Sequence, residues 1–223
     1  GKGVQSKAGV LVGIVAVVLA IVAIIGPWWT LQVSASALTV SLTGHADYGL
    51  FGGTGSFQTG TTTVTNSTDY KNTPNVGSVF TLATIFTILG MLIGTGMIVI
   101  GAMSGAMSST RRLGAILGIL AFLVLLIGAL YVMSSLPGAI NADVRSNPFG
   151  SGTTFSGFWG TKSISYLGLV TANLTWGAGW AWYVALVAAI VFLVGGILML
   201  QAPKPAMAPP MAPPQAPMPP QSP

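Results

Sequence analysis

The chain has 223 residues, 52% of them hydrophobic and only 5% charged, with a mean hydropathy of +0.79. Soluble domains carry about a quarter charged residues, so this composition excludes a water-facing surface over much of the chain and points to lipid as its solvent. Eight Lys and Arg against three Asp give a net charge of +5, too sparse for a nucleic-acid partner, and the absence of Cys excludes disulfides, thiolate nucleophiles and cysteine metal sites.

Residues 1–7 form a short cytoplasmic lead carrying Lys2 and Lys7, followed by an apolar stretch over 8–26. About 20 apolar residues cross the ~30 Å hydrocarbon core as a helix. A secretory signal core is shorter, about 7–15 residues, and the cleavage-like Ala35-Ser36-Ala37 lies well beyond the apolar run. The stretch is therefore expected to stay as a first span. Gln5 stands where an N-myristoylation signal needs Ser or Thr.

The outer loop over 27–78 reads as β-structure. Leu31, Val33, Ala35 and Ala37 alternate with polar residues, then the phase slips by one and Leu38, Val40 and Leu42 continue. This predicts one strand with a bulge at Ala37-Leu38, ended by Gly44. A short strand over 48–51, a turn over 52–55 and a Thr-rich strand over 57–65 are expected next, together a small antiparallel sheet. Spans over 79–103 and 113–133 follow, joined by a short cytoplasmic loop over 104–112 as a tight antiparallel pair. The second outer loop, 134–180, opens on turn-rich residues including Pro137, Gly138, Pro148 and Gly150. Its segment 163–169 is expected to add a strand to the first loop's sheet. A fourth span covers 181–200. The tail, 201–223, holds ten of the fourteen prolines and is expected to be extended polyproline II, with a Pro-rich recognition partner as the alternative.

Orientation follows from the basic residues. Lys2, Lys7, Arg111, Arg112 and Lys204 fall on one side, whereas Lys71, Arg145, Lys162 and all three Asp fall on the other. The positive-inside rule then places both termini in the cytoplasm of a multi-pass cell-membrane protein. Small residues recur at helical spacing as Gly9 and Gly13, Gly90 and Gly94, Gly101 and Gly105, Gly114 and Gly118. Such faces let helices approach closely in lipid, and the expectation is packing within the bundle; docking of a neighbouring subunit on the second span is the alternative. Trp28, Trp29, Trp176, Trp180 and Trp182 flank the spans and are expected to anchor at the outer headgroup level.

Trp29 just after the first span, with Tyr48-Gly49-Leu50-Phe51 some twenty residues on, resembles the claudin and peripheral-myelin-protein superfamily. The order of spans, the short second connection and the large first outer loop agree with it. The resemblance implies a four-helix membrane bundle under a small extracellular antiparallel sheet. Phe51 replaces the family's Trp, and its first-loop cysteine pair is absent. The family's sealing role and charged pore pattern are not carried over.

Two glycosylation sequons, at Asn66 and Asn173, both fall on the outer side. His45 and Asp47 are expected to share one face of a strand as a solvated polar pair, because no Cys, Glu or second His exists to complete a metal site. No nucleotide-binding Gly motif and no Gly-x-Ser-x-Gly elbow is present. No catalytic residue, metal or cofactor is expected. None of the four spans contains Asp, Glu, Lys, Arg or His, which argues against a proton-coupled transporter or pump. The expectation is a non-catalytic structural, adhesion or accessory subunit, in contact with lipid and forming a homo- or hetero-oligomer, with a glycan possible on the outer loops. An oligomeric channel or lipid pathway is the alternative, and a membrane-embedded enzyme the weaker one.

Overall fold

The computed structural model describes residues 4–103, 108–146, 153–201 and 209–214. Four helices carry the chain: α1 (Val4–Ile25), α2 (Pro74–Met103), α3 (Ser108–Ser146) and α4 (Trp180–Gln201). All four are long and apolar enough to cross a membrane. They form a closed ring in which α1 packs on α2 and α4, and α3 packs on α2 and α4. Residues 209–214 are exposed and belong to no helix or strand.

The bundle interior interleaves glycines with long side chains. A Cβ built on Gly94 would lie 2.2 Å from the Phe192 ring, and one on Gly13 only 2.4 Å from Met97 Cε. Gly90 faces Leu125, Gly118 faces Met97, and Gly9, Gly101 and Gly114 all face Met199. Dispersion between such close surfaces holds helices together where lipid offers no hydrophobic drive. All of the small-residue positions predicted for packing are thus spent inside the bundle, apart from Gly105, which lies outside the described residues. On the second span Gly90, Gly94 and Gly101 point inward. The buried Thr87 donates its hydroxyl to the Ala83 carbonyl at 2.7 Å.

The sheet has six antiparallel strands: β1 (Pro27–Ala37), β2 (Val40–Gly49), β3 (Gly53–Thr59), β4 (Thr62–Thr68), β5 (Gly160–Tyr166) and β6 (Val170–Ala178). Their order is β4-β3-β2-β1-β6-β5. The central β1 continues α1 through Gly26, and β6 leads through Gly179 into α4, so the sheet is rooted on the two helices that pack together.

Several sequence expectations are corrected here. The single strand with a bulge at Ala37-Leu38 is instead the β1–β2 hairpin, with Leu38-Thr39 as its turn and Ala37 paired to Val40. A two-residue turn reverses the direction of the chain, so the inward-facing parity changes across it; that reversal is the phase slip seen in the alternation. Gly44 lies inside β2 rather than at its end, and the expected turn over 52–55 overlaps the start of β3. The turn is one step earlier, where Gly49 N–H donates to Gly52 O at 2.9 Å. The Thr-rich segment is a hairpin about Gly60, whose φ is +59°.

The segment 163–169 does contribute a strand, β5, but it joins the sheet through β6, which the sequence reading passed over. Helix α3 runs past Met133 to Ser146 with Pro137 inside it, and its first five residues take in Arg111 and Arg112. Proline costs a helix one hydrogen bond. Here tertiary bonds beyond it offset that cost: Asn141 exchanges two hydrogen bonds with the Phe155 backbone, and Asp143 binds α2.

Candidate functional site

The register of the sheet separates two faces of opposite chemistry. One carries Thr30, Gln32, Ser34 and Ser36 on β1, with Asp47, His45, Thr43 and Ser41 opposite them on β2. The same face continues through Thr54, Ser56 and Gln58 on β3 and Thr171, Asn173 and Thr175 on β6. His45 Nε2 and Asp47 Oδ1 lie 2.8 Å apart on this face with both side chains partly exposed, the solvated pair expected from their spacing. A shallow cavity of about 390 Å³ runs beside His45, lined by Gln32, Ser34, Ser56 and Asn173. No hydroxyl hydrogen-bonds to His45, and no three His, Cys, Asp or Glu side chains gather, among the described residues.

The opposite face carries Leu31, Val33, Ala35 and Ala37 of β1, Val40 and Leu42 of β2 and Val170 and Leu174 of β6, with Lys162 of β5 and Thr59, Thr62 and Asn66 of the β3–β4 hairpin in the same rows. Near the bundle it is covered, and its base is an aromatic cluster. Trp29 meets Tyr48 with ring centroids 5.5 Å apart and Phe155 at 5.7 Å, and Phe155 meets Trp176 at 4.8 Å. Each buried indole N–H finds a backbone carbonyl: Trp28 on Ala23, Trp29 on Phe158, Trp176 on Gly157 and Trp182 on Ala129. This corrects the expectation that all five tryptophans anchor at the headgroup level. Four are core residues tying the sheet, the segment between α3 and β5 and the helices together, and of the five only Trp180, half exposed, is placed on the surface.

The motif residues gather at the same junction. Leu50 is buried, Phe51 is exposed, and the Gly49 carbonyl accepts a hydrogen bond from the Tyr70 hydroxyl. Burial pushes the Tyr70 phenol well above the ordinary tyrosine range, with the neighbouring Tyr48 adding to it, and burial also raises Tyr48. Asp69, fully exposed, is held below the usual carboxylate range by hydrogen bonding to Lys71, with Nζ and Oδ2 2.9 Å apart.

Asp143 reaches from α3 to the start of α2. Its Oδ1 accepts from Asn75 N and Nδ2 at 3.1 and 2.7 Å, and its Oδ2 from Val76 N at 2.9 Å. Pro74 supplies no N–H, so these bonds satisfy the next two donors of α2 from another helix. A cavity of about 460 Å³ opens beside it, lined by Trp29, Leu31, Tyr48, Ile140 and Phe155.

Away from the bundle the apolar face is uncovered. Val40, Phe57, Val64 and Tyr166 are exposed there, the last at a strand end beside the β5–β6 turn. The two non-glycine residues with positive φ among the described ones are Leu38 at +51° and Leu167 at +53°. Both occupy hairpin turns, and both are almost wholly exposed, at 93% and 92%. A side chain in this conformation costs roughly 1–2 kcal/mol relative to ordinary backbone. The two sequon asparagines are exposed on the sheet, Asn66 on the outermost strand β4 and Asn173 on β6, where its side chain accepts from Ser163.

Sequence reading missed three of these features. The alternation of Val170, Ala172, Leu174, Trp176 and Ala178 carried the signal for β6. No local pattern signals the contact between Asp143 and α2, or the left-handed leucines. Comparison with known proteins finds no matching family model and no matching curated protein.

Proposed function

We propose that this chain works in the cell membrane, with both termini cytoplasmic, as a non-catalytic structural, adhesion or accessory subunit of a larger membrane or surface assembly. The observation that carries the reading is the uncovered apolar half of the outer sheet, where Val40, Phe57 and Val64 stand exposed. A sheet with water on both sides puts polar residues outward, as the Ser/Thr face of this one does; contiguous exposed apolar residues mark a surface that meets something. The bundle, by contrast, spends its glycines and its largest side chains on itself. Support for a claudin-like architecture comes from the junction of Trp29 with the Gly49-Leu50-Phe51 turn beneath a sheet rooted on two helices. The exposure of Asn66 on an outer strand supports it as a glycan acceptor.

Extraction in mild detergent, followed by sizing and mass spectrometry of what co-migrates, tests the proposal. A larger species is expected, reduced by Phe57→Ser with Val64→Ser. A clean monomer with no accompanying protein overturns it.

A further inference from the structure

The two hairpins flanking the centre of the sheet end side by side. Ala37 pairs with Val40 across the β1–β2 turn and with Val170 at the start of β6, so the Leu38-Thr39 turn lies next to the 167–169 turn. Left-handed positions in hairpin turns ordinarily go to Gly, Asn or Asp. The β3–β4 hairpin follows that rule with Gly60 at +59°, and the β5–β6 turn places Gly168 at +68° beside Leu167. At the two apices furthest along the central strands the first left-handed position is instead a leucine, Leu38 and Leu167, with its side chain in solvent. Around them Val40, Tyr166 and Leu169 are also more than half exposed, and no charged residue occurs over 37–40 or 166–170.

We infer that these paired apices are a lipid-insertion element: Leu38, Leu167 and Leu169 enter the headgroup–acyl boundary of a bilayer apposed to the protein's own. The inference rests on reading the outer sheet as the working surface and names what its far end meets. The shape of the element selects lipid. Two narrow turns form an apolar tip whose one polar side chain is Thr39; a fluid bilayer adapts to such a tip, whereas a protein partner has to offer a matching groove. Tyr166, an amphipathic ring at the rim, suits the headgroup level.

The sheet's position selects the apposed membrane. Leu38 lies at the end of an 11-residue strand, about 35 Å along the chain from α1. The apolar face of the sheet does not lie down on the protein's own bilayer, because the outer end of α3 stands against its base. Ile140 and Val144 of α3 line the same cavity as Leu31 and Tyr48. From Met133 to Ser146 that helix rises about 20 Å.

The chain lacks Cys, so Thr39→Cys gives a single attachment point for an environment-sensitive fluorophore. With the labelled protein in lipid nanodiscs, adding phosphatidylcholine vesicles is expected to shift its emission to the blue and to float the discs with the vesicles. Leu38→Asn with Leu167→Asn keeps residues that accept a positive φ, so melting is expected at or above that of the parent. Vesicle recruitment should fall on the order of tenfold for each leucine removed. No spectral change with vesicles, equal recruitment of the Asn variant, or a label already shielded by the disc's own lipid before vesicles are added each overturns the inference. A vesicle failure alongside an intact assembly on sizing leaves the subunit proposal standing; a monomer that still floats with vesicles leaves the insertion element standing.

Discussion

The start of α2 has no local side-chain cap for its first turn, and Asp143 supplies one from a different helix. Because the carboxylate is buried and each bond is charge-assisted, losing it leaves two backbone donors unpaired and a site opposite the positive end of a helix dipole empty. Asp143→Ala is expected to lower stability by about 2–3 kcal/mol, and Asp143→Asn, which keeps one acceptor, by about half as much; thermal unfolding in mild detergent measures both. Tyr70 makes a pH-dependent contribution of a different kind. Its phenol is neutral in the fold and its pKa is raised by burial, so above the ordinary tyrosine value of 10.0 the unfolded chain loses its proton first. The folded state binds more protons across that window, and stability falls as pH rises through it, with the Tyr48 phenol acting in the same direction. Melting followed from pH 8 to pH 11 should show this loss, and Tyr70→Phe should flatten it. An unchanged slope in the variant would remove Tyr70 as the cause.

Glycines at the element scale sort by what a Cβ would meet. On Gly94 it would enter the Phe192 ring on α4, so α2 would have to withdraw. Gly94→Ala is expected to cost about 1–3 kcal/mol through overpacking. Gly138, in the part of α3 beyond Pro137, faces open space, and Gly138→Ala should add up to about 1 kcal/mol through helix propensity. Equal shifts from the two substitutions in parallel melts would contradict this account of the bundle. The same scale shows what was legible beforehand. The four long helices and the existence of a sheet follow from hydropathy and period-2 alternation, which are local properties. The hairpins did not, because Leu38 stands where a turn residue is expected, and an alternation that slips phase reads equally as a bulge or as a turn. The extent of α3 was hidden by Pro137, whose cost is offset by side chains that bind elsewhere in the fold. The burial of four tryptophans was hidden in the same way: a ring beside a span is read as an anchor until its N–H is seen on a carbonyl from a distant segment.

For the whole molecule, the division between a sealed bundle and an exposed sheet has a consequence for transport. The four apolar stretches hold no Asp, Glu, Lys, Arg or His, and Ala16, Ala20, Met97, Phe192 and Met199 fill the space among the helices. A solute crossing through one copy would find neither polar partners nor width, and water would meet the same barrier. Proteoliposomes made with the purified chain at low protein-to-lipid ratio should therefore leak ions and small neutral solutes no faster than protein-free vesicles. Phe192→Ala sharpens the test. Removing the ring is expected to lower stability by about 3–5 kcal/mol, because the Gly94 face of α2 loses what it packs against. The space left is lined by apolar groups and stays dry, so the variant should be less stable and still impermeable. Flux through the unmodified chain would instead require a path between copies, and it would favour a pore over the proposed surface-presenting subunit.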